Sequence, residues 1–120
     1  MEKFTIGLDL GQAQDYTALS VFERKGANPP HDYECRHLER FELGTRYPAI
    51  VERVKELLNT PPLKHQSTLV IDASGVGRPV CDMFQQAGLA YTGVTITGGD
   101  ATSRDGNMFR VPKRLSLIHI

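Results

Sequence analysis

Two apolar runs in this chain stop on an aspartate and lead at once into a glycine turn. The first is FTIGLD, residues 4–9, followed by LGQAQD; the second is TLVID, residues 68–72, followed by ASGVG. Across residues 4–10, Phe4, Ile6, Leu8 and Leu10 alternate with Thr5, Gly7 and Asp9, which predicts a strand with one apolar face. The unbroken apolar character of TLVID predicts a central strand covered on both sides. In open α/β sheets, ligands sit beyond the carboxyl ends of the strands. A strand that ends on a carboxylate therefore points that carboxylate at a site.

The intervening sequence fills in the order of elements. Gly11 to Asp15 reads as a tight polar turn, and residues 17–24 (TALSVFER) as a hairpin partner of the first strand. Gly26, Asn28, Pro29 and Pro30 mark a loop. Residues 32–43 predict a third, half-exposed strand with Tyr33, Cys35, His37, Phe41 and Leu43 on one face and Glu39 interrupting that set. Thr45 suits a helix N-cap and Pro48 the first turn; Ile50, Val51, Val54, Leu57 and Leu58 recur at helical spacing over 46–59. Pro61 and Pro62 end that helix. After TLVID, Pro79 fits the start of a second helix lined by Val80, Met83, Phe84 and Ala87 and closed by Gly88. YTGVTI, 91–96, predicts a fifth strand, and TGGDATSRDGN a polar loop. The result is an α/β fold, β-β-β-α-β-α-β, a mixed sheet with helices packed on it and the first and fourth strands central.

Adjacent central strands would bring Asp9 and Asp72 close together. Two ionised carboxylates at such range repel unless a proton or cation lies between them. Oxygen donors of this kind suit Mg²⁺ or Mn²⁺, and a pair of such ions can activate water and stabilise a leaving oxygen in phosphodiester cleavage. Asp15, just past the first turn, can add a hydrogen bond or a ligand. Each aspartate taken singly can equally well end a strand or cap a turn.

Other candidates carry less. DASGVG, 72–77, could offer backbone N–H groups to a phosphate, but it lacks a P-loop lysine and the spacing of a dinucleotide fingerprint. FRVPKR, 109–114, is a local basic cluster; Arg110, Lys113 and Arg114 could hold a DNA backbone or simply be solvated. His31, His37 and His65 have no ligand spacing. Fourteen basic and fourteen acidic residues give a formal net charge of zero, so no global field advertises nucleic acid or an anionic lipid surface. No apolar stretch is long enough to span a membrane and no signal peptide is evident, so no membrane partner is expected. Cys35 and Cys81 form no metal or redox spacing and read as free thiols in a reducing cytoplasm.

The element order with acids on strands one and four resembles the ribonuclease H-like superfamily. The blocks IGLDLGQAQDYTALSVFE, YPAIVERVKELL, LVIDASGVGRPV, VTITGGD and RVPKR together resemble the nuclease domain of tailed-phage large terminase subunits and related prophage proteins. They cover nearly all of residues 4–114, and the specificity lies in the set of blocks rather than in any one. The resemblance implies a metal-dependent endonuclease that cuts concatemeric double-stranded DNA during packaging in the cytoplasm of a bacterial host. It implies Mg²⁺ or Mn²⁺, as two ions, and portal and small terminase subunits as partners. By position, Asp9 resembles the first-strand metal ligand, Asp72 the fourth-strand acid and Asp15 an auxiliary aspartate after the first turn.

Two departures accompany the resemblance. Such nucleases use a further acid from a helix near the C-terminus of the domain, and here the sequence ends before one; Asp100 and Asp105 lie in the polar loop and are not assigned that role. The packaging ATPase is missing too, with no GxxxxGK[ST] sequence. The last six residues, LSLIHI (115–120), resemble translated sequencing-adapter read-through. Read so, they are non-native, the natural domain continues past residue 114, and the chain exposes apolar sheet surface. The other reading of this tail is a genuine last strand. Three functional alternatives stand beside the terminase reading. DLG (9–11) and DASG (72–75) loosely resemble the phosphate turns of actin-like and sugar-kinase nucleotide-binding domains. Junction resolvases share the fold and chemistry. An inactive ribonuclease H-like fragment could bind DNA or a protein without cutting.

Overall fold

In the computed structural model, which describes residues 2–12, 14–98 and 102–112, the chain runs β1 (Phe4–Asp9), β2 (Ala18–Lys25), β3 (Asp32–Arg40), α1 (Tyr47–Leu58) and β4 (Ser67–Asp72). It continues with α2 (Arg78–Gln86), β5 (Thr92–Thr97), β6 (Ser103–Asp105) and β7 (Met108–Pro112). The strands form one mixed sheet in the order β3-β2-β1-β4-β5-β7-β6. β1, β4, β5 and β7 are parallel neighbours, and antiparallel hairpins flank them on both sides. β1 and β4 are central and adjacent, as their apolar character requires.

Both helices lie on one face. Phe4, Ile6 and Leu8 of β1, Leu19 and Val21 of β2, and Leu69 and Ile71 of β4 share a single buried cluster with Ile50, Val51 and Val54 of α1 and Cys81 and Phe84 of α2. Full burial of one such side chain stabilises the fold by about 1.5–3 kcal/mol. The opposite face carries Gly7, Ser20, Phe22, Val70, Val94 and Ile96, and among the described residues no helix packs on it. This corrects the expectation that TLVID is covered on both sides: Leu69 and Ile71 are buried, whereas Val70 is only partly so.

β3 departs from its expected form in extent and in facing. It ends at Arg40 rather than 43, and it lies exposed along nearly its whole length at the sheet edge. A bulge opposite Val21 and Phe22 takes Arg36 out of register, so His37 pairs with Val21 while Cys35 pairs with Phe22. Cys35 and His37 therefore fall on opposite faces, because one extra residue reverses the alternation. Glu39, which interrupts the expected apolar set, is turned toward α1. There it accepts a bidentate pair from Arg53, Nε–Oε2 3.0 Å and Nη2–Oε1 2.8 Å.

Thr45 does not cap α1. Its hydroxyl donates to the Glu42 carbonyl at 2.6 Å in a turn around Gly44, whose φ is +83°, and Arg46 occupies the cap position without a side-chain bond. α2 ends as expected: the N–H of Gly88 (φ +82°) reaches Gln85 O and that of Leu89 reaches Phe84 O. The expected loop after β5 instead contains the β6–β7 hairpin, closed by Gly106 and Asn107. Most of FRVPKR is thus strand; Lys113, Arg114 and residues 115–120 lie outside the described residues, as does Asp100. Both cysteines are free, Cys35 exposed and Cys81 buried. Among the described residues, no helix is long and apolar enough to cross a membrane.

Candidate metal centre

The register of β1 against β4 fixes the centre. Asp9 stands directly opposite Asp72 in a parallel pair, so both side chains leave the sheet on the same, helix-free face. Both line one cavity of about 630 Å³ whose other walls are largely apolar, among them Val70, Val94, Ile96 and Phe22. The Asp9 carboxyl is held above its ordinary value. Desolvation is the main cause, the charge of Asp72 the next and that of Asp15 the third. The charges of Asp72 and Asp15 thus act on Asp9, which has a reason to take up a proton or a cation.

Backbone and side-chain bonds hold the two acid-bearing turns. The Ser74 N–H donates to Asp72 Oδ1 at 3.0 Å, which leaves Oδ2 free of that bond, and Ser74 Oγ accepts the Ile96 N–H at 2.8 Å. Asp72 is therefore both a turn-capping group and a group facing the cavity. On the β1 side, the Gly11 N–H donates to the buried Thr17 hydroxyl at 3.0 Å, and the Tyr47 hydroxyl donates to Gly11 O at 3.0 Å. Gly11 is required sterically, because a Cβ there would lie 2.4 Å from the Asp15 carbonyl oxygen. Gln12 Nε2 donates to Gly75 O and so joins the turn after Asp9 to the turn after Asp72.

Asp15 lines a separate cavity of about 420 Å³ with Gln12, Glu42 and Arg46. Arg110 pairs with Thr95, one step from the row that holds Asp72 and Val94, so it projects on the helix side of the sheet rather than beside the acids. Asp105 is paired with Arg78 at 3.1 Å. Sequence reasoning did not single out Gln12 or Ser74; one polar residue in a polar turn gives no periodic signal.

Among the described residues, no group of three or more His, Cys, Asp or Glu side chains converges on one point. Two registered carboxylates, one of them destabilised in its charged form, still fit Mg²⁺ or Mn²⁺. Mg²⁺ is commonly held by one or two carboxylates, with waters and phosphate oxygens completing its shell.

No protein-family model matches the chain, and no curated protein does either. Among solved structures the fold is similar to that of RuvC from Thermus thermophilus, with a TM-score of 0.54 and 16% sequence identity. The match covers 77% of this chain and 63% of the RuvC chain, so this chain spans less than two thirds of that protein. The fold of this chain is ribonuclease H-like.

Proposed function

We propose that residues 4–114 form the nuclease domain of a phage or prophage terminase large subunit, which hydrolyses phosphodiester bonds of double-stranded DNA with Mg²⁺ or Mn²⁺. The observation that carries this reading is the direct register of Asp9 with Asp72 at the carboxyl ends of adjacent central strands. The ribonuclease H-like fold supports nuclease chemistry, although a fold alone does not fix a reaction. The sequence blocks from IGLDLG to RVPKR support the narrower terminase assignment. On this reading the substrate is concatemeric DNA, the partners are portal and small terminase subunits, and the setting is the host cytoplasm.

Asp9 and Asp72 would hold the metal, one ion or two. When bound, it supplies a Lewis acid for the phosphate oxygens and a water of lowered pKa. The remaining work belongs to the chain. The Ser74 N–H fixes the Asp72 carboxylate, Gln12 holds the two turns at a set separation, and Asp15 adds negative charge that disfavours an uncompensated Asp9 carboxylate.

Nicking of supercoiled plasmid tests the proposal. The expected result is cleavage with Mg²⁺ or Mn²⁺, none with chelator, and none above background for Asp9→Asn or Asp72→Asn. Metal-dependent cleavage that survives in both variants would overturn the assignment.

A further inference from the structure

A second polar cavity, of about 440 Å³, opens on the helix side of the sheet at the same end as the acid pair. Its walls include Gly77, Arg78, Thr95, Ser103, Asp105 and Arg110. Two guanidinium groups reach it from unrelated parts of the chain: Arg78 begins α2, and Arg110 lies within β7. Arg110 pairs with Thr95 on one side and Ser103 on the other, so a cationic fork stands between two hydroxyls in one cross-strand row. Asp105 holds Arg78 through an Nη2–Oδ2 bond of 3.1 Å, which orients one cation. Arg110 makes no ion pair among the described residues. Arg104 also borders the cavity, but its guanidinium stacks over the Phe109 ring, 5.0 Å from the centroid, on the acid-bearing face. Arginines thus outnumber the single acid, and the hydroxyls add donors. That donor set, planar forks with flanking O–H groups beside the Met108 side of the wall, matches a phosphate.

The position relates the cavity to the acids. Asp72 pairs with Val94, and Val94 pairs with Phe109, next to Arg110. Two strand spacings within the sheet are about 10 Å, and because Arg110 and Asp72 project from opposite faces, a DNA strand that reaches both passes over the carboxyl edge of the sheet. We infer that the Arg78–Arg110 cavity is a backbone-phosphate subsite that holds the DNA strand a few nucleotides from the acid pair. This inference rests on the nuclease reading for its ligand, but its test does not require cleavage.

The experiment measures binding of a fluorescent DNA duplex to the full 120-residue chain, without divalent metal, over a range of salt concentrations. Arg78→Ala, Arg110→Ala, the double variant and Arg110→Lys are compared, each with a melting temperature to show that it is folded. Each alanine variant should weaken binding whatever the DNA sequence, and should lower the log–log salt slope by about 1 for each phosphate no longer neutralised. Arg110→Lys should restore most of the slope, since the charge is kept and only the bidentate geometry is lost. An unchanged affinity and slope in the folded double variant would overturn the subsite, as would a wild-type chain that binds no duplex. Calorimetry with inorganic phosphate separates the sources. If the double variant loses free phosphate but keeps DNA, the cavity is a phosphate site and the DNA subsite is refuted. The nuclease reading fails separately, if DNA binding depends on Arg78 and Arg110 but no divalent metal supports cleavage.

Discussion

Removing the charge of Asp9 should stabilise this protein in the absence of metal, although polar-to-polar changes at a strand end are ordinarily neutral or harmful. Asp9 and Asp72 stand on neighbouring strands in direct register, about 5 Å apart along the hydrogen-bonding direction. Asp9 is exposed, so the effective dielectric is nearer water than protein interior, and the repulsion is about 1 kcal/mol. The desolvation acting on Asp9 has the same sign. For a domain of this size, about 1 kcal/mol corresponds to about 4 °C in Tm. Asp9→Asn should therefore melt about 4 °C above the wild type in chelator. The pH dependence has a definite sign. Because folding raises the Asp9 pKa, its contribution is most favourable below the ordinary carboxylate value and is lost as pH rises through the raised one. The variant should lack that decline. Metal should reverse the ranking: an ion at ten times its dissociation constant adds about 1.4 kcal/mol to the wild type, and far less to the variant. Differential scanning calorimetry with EDTA, Mg²⁺ or Mn²⁺ reads all of this. A variant that melts below the wild type in EDTA, or that gains as much from metal, would refute the reasoning.

Two further predictions concern how the site and the sheet edge are held. Gln12→Ala removes the side-chain bond between the two acid-bearing turns; Mn²⁺ affinity should fall several-fold while stability drops by only about 0.5–1 kcal/mol, measured by calorimetry and thermal melting. Arg53→Ala should destabilise the protein by about 1 kcal/mol at neutral pH, because the Glu39 carboxyl, held down to about 2 chiefly by its bonds to Arg53, loses its partner. That difference should be full above pH 4.5 and fade as pH falls toward 2, which urea unfolding at several pH values would follow.

The central strands and the location of the acids were legible because burial imposes period and run length on the sequence. FTIGLD and TLVID pack Ile6, Leu8, Leu69 and Ile71 against the helices, and no polar residue could replace them there. The edges were not legible. β3 has no buried face to enforce its alternation, so a single bulge at Arg36 reversed the facing of Cys35 relative to His37. β6 is three polar residues, SRD, and takes its conformation from pairing with β7 rather than from propensity. Gly106-Asn107 was a hairpin signal, but strands this short carried no pattern to flank it. The side on which Arg110 projects depends on the β5–β7 register, which joins segments with no local pattern in common. The bond from Gln12 to Gly75 likewise spans two turns that only the fold brings together.

Whether Asp9 and Asp72 form a metal centre decides the rest. Titration of Mn²⁺ followed by electron paramagnetic resonance, in which the signal of the free ion disappears on binding, tests this without reference to any reaction. The wild-type chain should take up Mn²⁺ in competition with Mg²⁺, and Asp9→Asn and Asp72→Asn should each lose that uptake while remaining folded. Equal Mn²⁺ uptake by the wild type and both variants, or none by the wild type, would contradict the assignment.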